Sequence, residues 1–277
     1  GNLVVDAASN RNGELSKTVE ALAISIGGAL SSNASGALSG AGAGAVNYVD
    51  MRLSAFSDRV NTTLETVTSG TNTTGGSAAI SATDKTHTRA DAGGFAIALA
   101  KSDNGTAGSL SVGASVANNK LGTAADLYQV KAYVVDSVLT APTGITISAQ
   151  SDATIDALAM GGAGSGSKSN QTGGALAGAG AGSTNQIDMD VLVHFTRSTS
   201  ASTDGTFLLV ATDNSRITAD AGGVAVALSR SEVGTGGSLS IGAAISANDI
   251  TNSVQSYVDD GQITATAITV TATSPAT

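Results

Sequence analysis

The chain has 277 residues, a formal net charge of −9 and no cysteine. It lacks the basic surplus that phosphates require, which disfavours nucleic acid and anionic membrane surfaces as partners. Hydrophobic residues make up 41% of the chain but aromatic residues only 3%, so most apolar side chains are alanines. Alanine buries little area, and 35 glycines add backbone entropy that folding must overcome. The composition therefore favours an elongated stack of closely approaching backbones over a compact globule.

The N-terminal segments are predicted to be β-strands. Leu3–Val5 is a short apolar run, and Val19–Gly28 alternates small and large residues with period two. Glu14–Leu30 also contains a helical spacing of apolar residues, but the aligned stretch Ile155–Gly162 reads as period two. We therefore expect strand rather than helix here, although alanine is a helix former.

A Gly/Ala module then recurs four times. Its clearest copies are Gly36–Met51 and Gly173–Met189, in which alternating Gly and Ala lead to an asparagine. More divergent copies begin at Gly108 and Gly237. The marker asparagines, spaced 72, 66 and 63 residues apart, are Asn47, Asn119, Asn185 and Asn248. A module that returns at such intervals predicts a repeat protein.

The units also pair into a double-length repeat. Ala90–Leu99 matches Ala219–Leu228 at an offset of 129 residues, and Ser109–Gly113 matches Ser238–Gly242 at the same offset. The approximate units, which form one array, are residues 1–80, 81–151, 152–211 and 212–277. The array begins and ends partway through a unit, no signal peptide opens it, and no apolar run approaches the ~18 residues of a membrane helix. We therefore expect a piece of a longer exported protein, with no insertion into a membrane.

Within each unit, polar turns separate the strands. Phe95–Ala100 carries large apolar residues on one face and alanines on the other, so we expect both faces to be covered. The Asn104-Gly105 pair predicts a chain reversal into a second strand near Leu110, which sets large apolar residues opposite serines. Further period-two strands are predicted at Gln129–Val134, Gly144–Ala149, Val254–Val258 and Ala267–Thr273.

These patterns predict an all-β protein, an elongated parallel β-solenoid of four quasi-repeats. The Thr/Ser-rich segments Asn61–Ala78 and Thr196–Thr206 occupy matching places in the first and third units and read as surface loops. The pattern leaves open whether the Gly/Ala strands are rungs of the solenoid or hairpins that project from it.

The C-terminal repeats resemble a known group of proteins. Asn248–Val258, followed by Ile263–Ala265 and Ile268–Thr273, is similar to the repeats of filamentous-haemagglutinin-like adhesins and of related leukotoxin-like giant surface proteins. The resemblance covers essentially the whole chain. It implies a right-handed β-solenoid, export to the bacterial cell surface, and a stalk or adhesive role.

Few residues suggest chemistry. The two histidines, His87 and His194, have no cysteine nearby and no convergent ligands, so we expect solvated side chains. Acidic residues that a β-helix carbohydrate enzyme could use are Asp50, Asp188 and Asp190, with Arg52 following the first. Asp50 and Asp188 hold the same place in their repeats, which favours a turn or edge role. We therefore predict no catalytic, cofactor-binding or metal-binding residues.

Calcium stays open as a cofactor, because acidic turns offer oxygen ligands. The turns concerned are Asp103-Asn104-Gly105, Asp204-Gly205 and Asp259-Asp260-Gly261. Against calcium, the nonapeptide pattern Gly-Gly-x-Gly-x-Asp is absent and Asp-Gly is an ordinary turn pair. The Thr-x-Thr strands Thr264–Thr266 and Thr269–Thr273 would suit an ice-binding face only if their register recurred in successive turns of the chain.

The sequence thus predicts a non-enzymatic structural or stalk segment of a large exported bacterial adhesin-like protein, located at the cell surface or outside the cell. The alternative is a glycan- or host-protein-binding module that uses the Thr/Ser-rich loops, and a carbohydrate-active β-helix enzyme comes third. Uncapped ends and flat Gly/Ala sheets are prone to pair with another chain, so we also expect self-association, as a homo-oligomer.

Overall fold

The computed structural model describes residues 1–9, 19–33, 36–69, 72–123, 125, 127–202 and 204–275, and the side chains of 66–75 are outside this description. The described part contains 21 strands and no helix. The strands, in chain order, are β1 Leu3–Ala8, β2 Val19–Ser32, β3 Gly36–Val49, β4 Arg52–Asp58, β5 Asn61–Thr63, β6 Thr66–Ser69, β7 Asn72–Gly75, β8 Ser77–Asp84, β9 His87–Ser102, β10 Ala107–Leu121, β11 Tyr128–Val135, β12 Val138–Thr140, β13 Gly144–Ser151, β14 Thr154–Ser169, β15 Gly173–Thr196, β16 Thr199–Ala201, β17 Thr206–Asp213, β18 Arg216–Ser231, β19 Gly236–Asp259, β20 Gln262–Thr264 and β21 Ala267–Thr273. Strand rather than helix at Val19–Gly28 is therefore confirmed; the start of the helical spacing at Glu14 lies outside the described residues.

The strands form four parallel sheets. Sheet A has the order β1-β8-β13-β17-β21, sheet B β2-β9-β14-β18, and sheet D β5-β12-β16-β20. In sheet C, β15 pairs with β10 and β11 on one side and with β19 on the other, while β3 and β4 complete the far edge. Parallel neighbours need long crossover connections, so an all-β chain with this pairing is consistent with the β-helix class. The predicted all-β class with parallel sheets is confirmed.

Sheets B and C each have four levels along the stacking direction. Level 1 contains β2, β3 and β4; level 2 contains β9, β10 and β11; level 3 contains β14 and β15; level 4 contains β18 and β19. Four strands side by side span about 20 Å, whereas a strand of 24 residues such as β15 extends about 80 Å along its course. The stack is therefore much broader along its strands than it is tall.

Among the described residues, large side chains are buried where sheets A and D enclose the C-terminal part of sheet C, and at the adjoining end of sheet B at Ile155. Ile147 and Leu209 lie fully buried on sheet A, and Val193 faces them from sheet C. The rings of Phe195 and Phe207 meet edge to face, with centroids 5.2 Å apart. This region is the hydrophobic core of the described chain.

The rest of sheets B and C forms a thin double layer, which we call the wing. It comprises β2, β9, β14 and β18 on one side, and β3, β10 and residues 173–187 and 236–250 of β15 and β19 on the other. A Cβ atom added to Gly94 would lie 2.0 Å from the carbonyl oxygen of Ala114, and one added to Gly161 would lie 2.1 Å from that of Gly180. The two backbones thus nearly touch, and from its tip to the row of marker asparagines the interior of the wing holds only Gly, Ala, Ser and those asparagines. The next inward row, which contains Leu121, Ile187 and Ile155, belongs to the hydrophobic core.

The expectation that both faces of Phe95–Ala100 are covered is wrong. Ala96 and Ala98 are buried in the wing, whereas Phe95 is 42% exposed and Ile97 is 53% exposed. In β10 the serines face inward and the large apolar residues outward: Ser111 is fully buried, while Val112 is about half exposed. The short distance between the layers is the reason, because it leaves no room for side chains larger than serine or asparagine.

The chain reversal predicted at Asn104-Gly105 is confirmed, whereas the surface loop predicted at Thr196–Thr206 is wrong. Asn104-Gly105 does lie in the turn between β9 and β10, but these strands belong to different sheets, so the turn marks the tip of the wing rather than a hydrogen-bonded hairpin. Thr196–Thr206 is not a surface loop: β16 pairs in sheet D with both β12 and β20, which buries Ser198 and Ser200.

The segment Asn61–Ala78 is likewise mostly strand. β5 pairs with β12 in sheet D, and Ala78 is buried in sheet A. Only the antiparallel pair β6–β7 between them stands apart from the four parallel sheets. The Thr/Ser-rich segments therefore supply two of the four short strands of sheet D, β5 and β16, because their β-branched and small polar residues suit half-buried strands.

Among the described residues there is no helix with the length and apolar character needed to cross a bilayer.

Candidate functional site: the outer faces of the wing

The wing presents an apolar outer surface on sheet C, which we call the C face. Its outermost row contains a leucine at every level: Leu38, Leu110, Leu176 and Leu239. The next three outward rows alternate between levels. Levels 2 and 4 carry ridges of larger residues, namely Val112, Ala114 and Val116 on β10 and Ile241, Ala243 and Ile245 on β19. Levels 1 and 3 carry glycine troughs, namely Gly40, Gly42 and Gly44 on β3 and Gly178, Gly180 and Gly182 on β15.

The troughs of the C face are open. A Cβ added to Gly178, Gly180 or Gly182 would meet no heavy atom within 4 Å. On the ridges beside them, Val116 is 53% exposed and Ile245 is 72% exposed. The C face is thus a corrugated apolar surface, and exposed apolar patches of this kind mark interaction sites in soluble proteins.

The outer surface of sheet B in the wing, the B face, is also apolar but differs in relief. Its ridge Phe95, Ile97 and Leu99 leans over the glycines of level 3. A Cβ added to Gly162 would lie 2.4 Å from the Phe95 ring, and one added to Gly166 would lie 2.8 Å from Leu99. Neighbouring side chains therefore already fill these troughs.

Charges border the two faces differently. The tip of the B face carries the row Lys101, Lys168 and Arg230. The Lys101 ammonium lies 2.9 Å from Asp103, and that of Lys168 lies 3.4 Å from Glu232. On the C face the row that follows the troughs contains Val46, Asn118, Thr184 and Ala247, and charges appear only in the next row, at Lys120 and Asp249.

A stack of four rings lies on the outer side of sheet C, beyond the wing. Phe56, Tyr133, His194 and Tyr257 occupy one row across the four levels. Their centroids are separated by 5.2, 4.9 and 5.5 Å, and the His194 ring is almost parallel to that of Tyr133. The His194 Nδ1 atom lies 3.0 Å from the Thr196 hydroxyl. The expectation of a solvated side chain is wrong for His194, because its ring is half-buried between those of Tyr133 and Tyr257.

Burial within the stack disfavours the charged form of His194. Burial lowers the pKa of its imidazole, and the positive charge of Lys131 lowers it further. The unfolded chain restores the ordinary pKa near 6.5, so below about pH 7 the unfolded state binds more protons than the folded state. Stability contributed by the neutral ring is therefore fully present above the unfolded pKa and is lost as the pH falls through it.

We expect His194→Phe to remove part of the acid sensitivity of the protein. Phenylalanine keeps a planar ring between Tyr133 and Tyr257 but does not titrate. Urea denaturation of both proteins between pH 7.5 and pH 5 should show the free energy of unfolding of the wild type falling more steeply than that of the variant. His87 is present in both proteins and cancels in the comparison; parallel curves would contradict the assignment.

His87 takes part in a pairing on the B face. Its Nδ1 atom lies 2.5 Å from the Thr154 hydroxyl, and its Nε2 atom lies 3.4 Å from Asp156. Both partners belong to the next level of sheet B. His87 and His194 lie on different sheets, so the structure does not bring the two histidines together.

The carboxylates considered for carbohydrate chemistry are also separate. Asp188 is buried and accepts a hydrogen bond of 2.7 Å from the Gln186 amide, whereas Asp190 lies 4.0 Å from the Lys131 ammonium. Asp50 lies between β3 and β4, and Arg52 begins β4, two levels from Asp190. Arg52 and Asp190 thus share one row of sheet C but are separated by the strand between them, at Gln129.

Two polar arrangements were not predicted. The fully buried Asp84 accepts hydrogen bonds from the Tyr128 hydroxyl at 2.9 Å and the Thr86 hydroxyl at 2.7 Å, and burial beside this carboxylate raises the pKa of Tyr128. At the end of sheet C, Arg197 forms a two-point ion pair with Asp136 at 2.7 and 3.0 Å, which lowers the pKa of Asp136.

The corner after sheet C has a recurring backbone conformation. Arg59, Asp136, Arg197 and Asp260 occupy one row, alternate in charge, and all have positive φ angles between 45° and 52°. Such a left-handed residue turns the chain sharply from sheet C into sheet D. The Asp259-Asp260-Gly261 turn considered for calcium is part of this corner, and Asp103 of another such turn pairs with Lys101.

The part of the chain that the structure describes contains no group of three or more His, Asp or Glu side chains placed to hold a metal ion. The apolar faces of the wing are therefore the surface features for which a function has to be sought. Comparisons with protein-family models, with curated proteins and with solved structures found no match to this chain.

Proposed function

We propose that the chain is a non-enzymatic structural segment of a large exported bacterial adhesin-like protein. In this proposal the chain winds as a β-solenoid of four successive turns, and each turn contributes one level to the core and to the wing. The placement at the cell surface rests on the resemblance of the repeats to those of giant adhesins. The segment acts mechanically, as a stiff scaffold that holds a broad surface in place.

One observation carries the proposal: every long strand from β8 onward pairs in parallel, in register, with a strand that lies one unit earlier in the chain. Ser77, Gly144 and Thr206, for example, align at the start of three successive strands of sheet A. A unit that pairs identically above and below can be stacked repeatedly, and nearest-neighbour pairing then stabilises the array.

The proposed solenoid is wide along its strands and short along its stacking direction. Each turn of 63 to 72 residues between marker asparagines adds only about 4.8 Å along the stack. The same turn extends the wing sideways by a strand of about 15 residues, such as β10, which spans about 50 Å. A scaffold of this kind therefore contributes wide faces and stiffness more than distance from the cell.

The proposed solenoid predicts that the chain tolerates an exact duplication of two turns. Residues 77–205 contain one double-length repeat, because Ser77 and Thr206 hold the same place in sheet A. Inserting a second copy of 77–205 after residue 205 should give a folded protein whose stack is about 10 Å taller, with two more levels. Small-angle scattering extrapolated to zero concentration, together with far-UV circular dichroism, measures both properties.

A second duplication, of residues 97–225, tests the same idea at a different junction. It has the same length but joins the wing strands at mid-strand. Its junction also keeps the register, so both duplications should fold if the turns are true repeats. A chain in which the four levels close into one fixed domain would misfold or aggregate in both cases, and that outcome would reject the solenoid.

A further inference from the structure

The C face is large enough to be an interface. Its outward rows from Leu38 to Val46 cover nine residues of each strand, about 30 Å, and its four levels cover about 20 Å. The resulting area is about 600 Å², at the upper end of the largest apolar patch on a typical monomer. All the residues in these rows are uncharged, so covering them removes no charge from water.

In its three ridge-and-trough rows the relief of the C face is complementary to itself, whereas the leucine row at its edge has no trough at any level. Ridges and troughs alternate with every level, so both recur at about 10 Å, twice the spacing between strands. There is an even number of levels, with troughs at levels 1 and 3 and ridges at levels 2 and 4. Reversing the order of the levels therefore exchanges every ridge with a trough.

We propose that the C face binds the C face of a second copy of this chain, about a two-fold axis that runs parallel to the strands between β10 and β15. Level 2 of one copy then lies over level 3 of the other, and level 4 lies over level 1. Val112 and Val116 enter the trough of Gly178 and Gly182 of the partner subunit. Ile241 and Ile245 likewise enter the trough on β3 of the other copy.

The polar row at the border of the face supports the same axis. This row contains Tyr48, Lys120, Gln186 and Asp249 at levels 1 to 4. Reversing the levels places Lys120 over the partner's Gln186, and Tyr48 over the partner's Asp249. Both pairs combine a hydrogen-bond donor with an acceptor, and neither brings like charges together.

The buried area suits a specific dimer. Two faces of about 600 Å² bury about 1,200 Å² in total, the lower end of the range for stable protein–protein interfaces. The B face fits this role less well. Phe95 and Leu99 already fill its troughs, and the row Lys101, Lys168 and Arg230 would place cations near one another in a reversed pairing of that face.

The test is to fill the trough while adding apolar area. In the double variant Gly178→Val/Gly182→Val the new side chains enter open space and suit a strand, so the fold should persist. Sedimentation equilibrium over a concentration series should show a wild-type dimer and at least a tenfold weaker association of the variant. If the chains associated only through non-specific hydrophobic contact, the added apolar area should instead make the variant associate more strongly.

A matched control adds the same two side chains to the B face. Gly28 and Gly222 also face open space, so Gly28→Val/Gly222→Val should leave the dissociation constant unchanged. A wild type that stays monomeric at high concentration would overturn the proposal. So would a trough-filled variant that dimerises as tightly as the wild type.

The orientation can be tested separately, because the chain has no cysteine. Tyr48 and Asp249 lie three levels apart in one copy, about 14 Å, but face each other in the proposed dimer. The variant Tyr48→Cys/Asp249→Cys should therefore be joined between copies by a short thiol-reactive crosslinker. A dimer that gives no intermolecular product, while each cysteine alone reacts with a monofunctional maleimide, would reject this axis.

Discussion

Gly161→Ala is expected to destabilise the protein by about 3 kcal/mol or more, the upper range for overpacking a tight interior. The added Cβ would lie 2.1 Å from the carbonyl oxygen and 2.7 Å from the carbonyl carbon of Gly180. Both are backbone atoms, and both strands are fixed on each side by parallel neighbours. A local shift cannot relieve the contact, so the two layers of the wing must separate. The midpoint of urea denaturation measures the loss.

The matched control is Gly180→Ala, the other member of the same contact. Its Cβ points out of the wing and meets no heavy atom within 4 Å. Replacing glycine by alanine where the backbone permits it reduces the entropy of the unfolded chain. Measured below the concentration at which the proposed dimer forms, this variant should therefore be stabilised by about 0.4–1 kcal/mol. Opposite signs for two touching glycines would be specific to the close packing of the layers.

Hydrogen exchange shows which part of the Gly161→Ala variant loses stability. In Gly161→Ala, amides of β9, β10, β14 and β15 within the wing should lose protection, while those of β13 and β17 around the core keep it. Equal stability of Gly161→Ala and the wild type would mean that the layers can move apart freely. In that case the near contact of the two backbones would not be what excludes large side chains from the wing.

The sequence predicts the strands and their spacing well, because both are local or periodic properties. The predicted Ala267–Thr273 coincides with β21, and the marker asparagines share one row of sheet C. Each strand has a period of two, and the same residue types return after one unit. Register in a parallel stack follows from those two facts.

The direction in which each strand faces could not be predicted in the same way. Alternation in Phe95–Ala100 separates large residues from alanines, and ordinary reasoning places the large ones inside. The structure places them outside, because Gly94 and Gly113 bring the opposite layer too close for them. That distance depends on which two strands face each other across the wing, which a single strand does not reveal.

The candidate surfaces could be predicted only in part, for the same reason: a single strand does not reveal its neighbours. Tyr133 and Tyr257 match in sequence as ends of equivalent strands, so two members of the ring stack were visible. Phe56 and His194 join them only through the register of sheet C. The ridges and troughs of the C face also require both the register and the outward direction.

Asn119→Ala is expected to cost about 2–4 kcal/mol, because it interrupts a buried row of hydrogen bonds. Asn119 is fully buried between the two layers. Its Oδ1 atom accepts a hydrogen bond of 2.9 Å from Asn47, and its Nδ2 atom donates one of 2.9 Å to Asn185, which in turn donates to Asn248 at 2.9 Å. Alanine leaves the Asn185 oxygen without this donor and removes the acceptor for Asn47. Chemical denaturation gives the loss. Asn118→Ala, one position away on the outward side, should cost less than about 1 kcal/mol, because Asn118 is only half-buried and its Oδ1 atom has no hydrogen-bond partner among the described residues.

The direction of these hydrogen bonds predicts how Asn119→Asp depends on pH. An ionised carboxylate can still accept from Asn47 but cannot donate to the oxygen of Asn185, so at pH 7 the variant should be at least as unstable as Asn119→Ala. Protonation restores a donor, which raises the pKa of the introduced carboxyl in the folded state. The deficit relative to the wild type should therefore shrink as the pH falls from 7 to 4. A deficit that stays constant with pH would mean that the amide donor of Asn119 is not what connects the second level to the third.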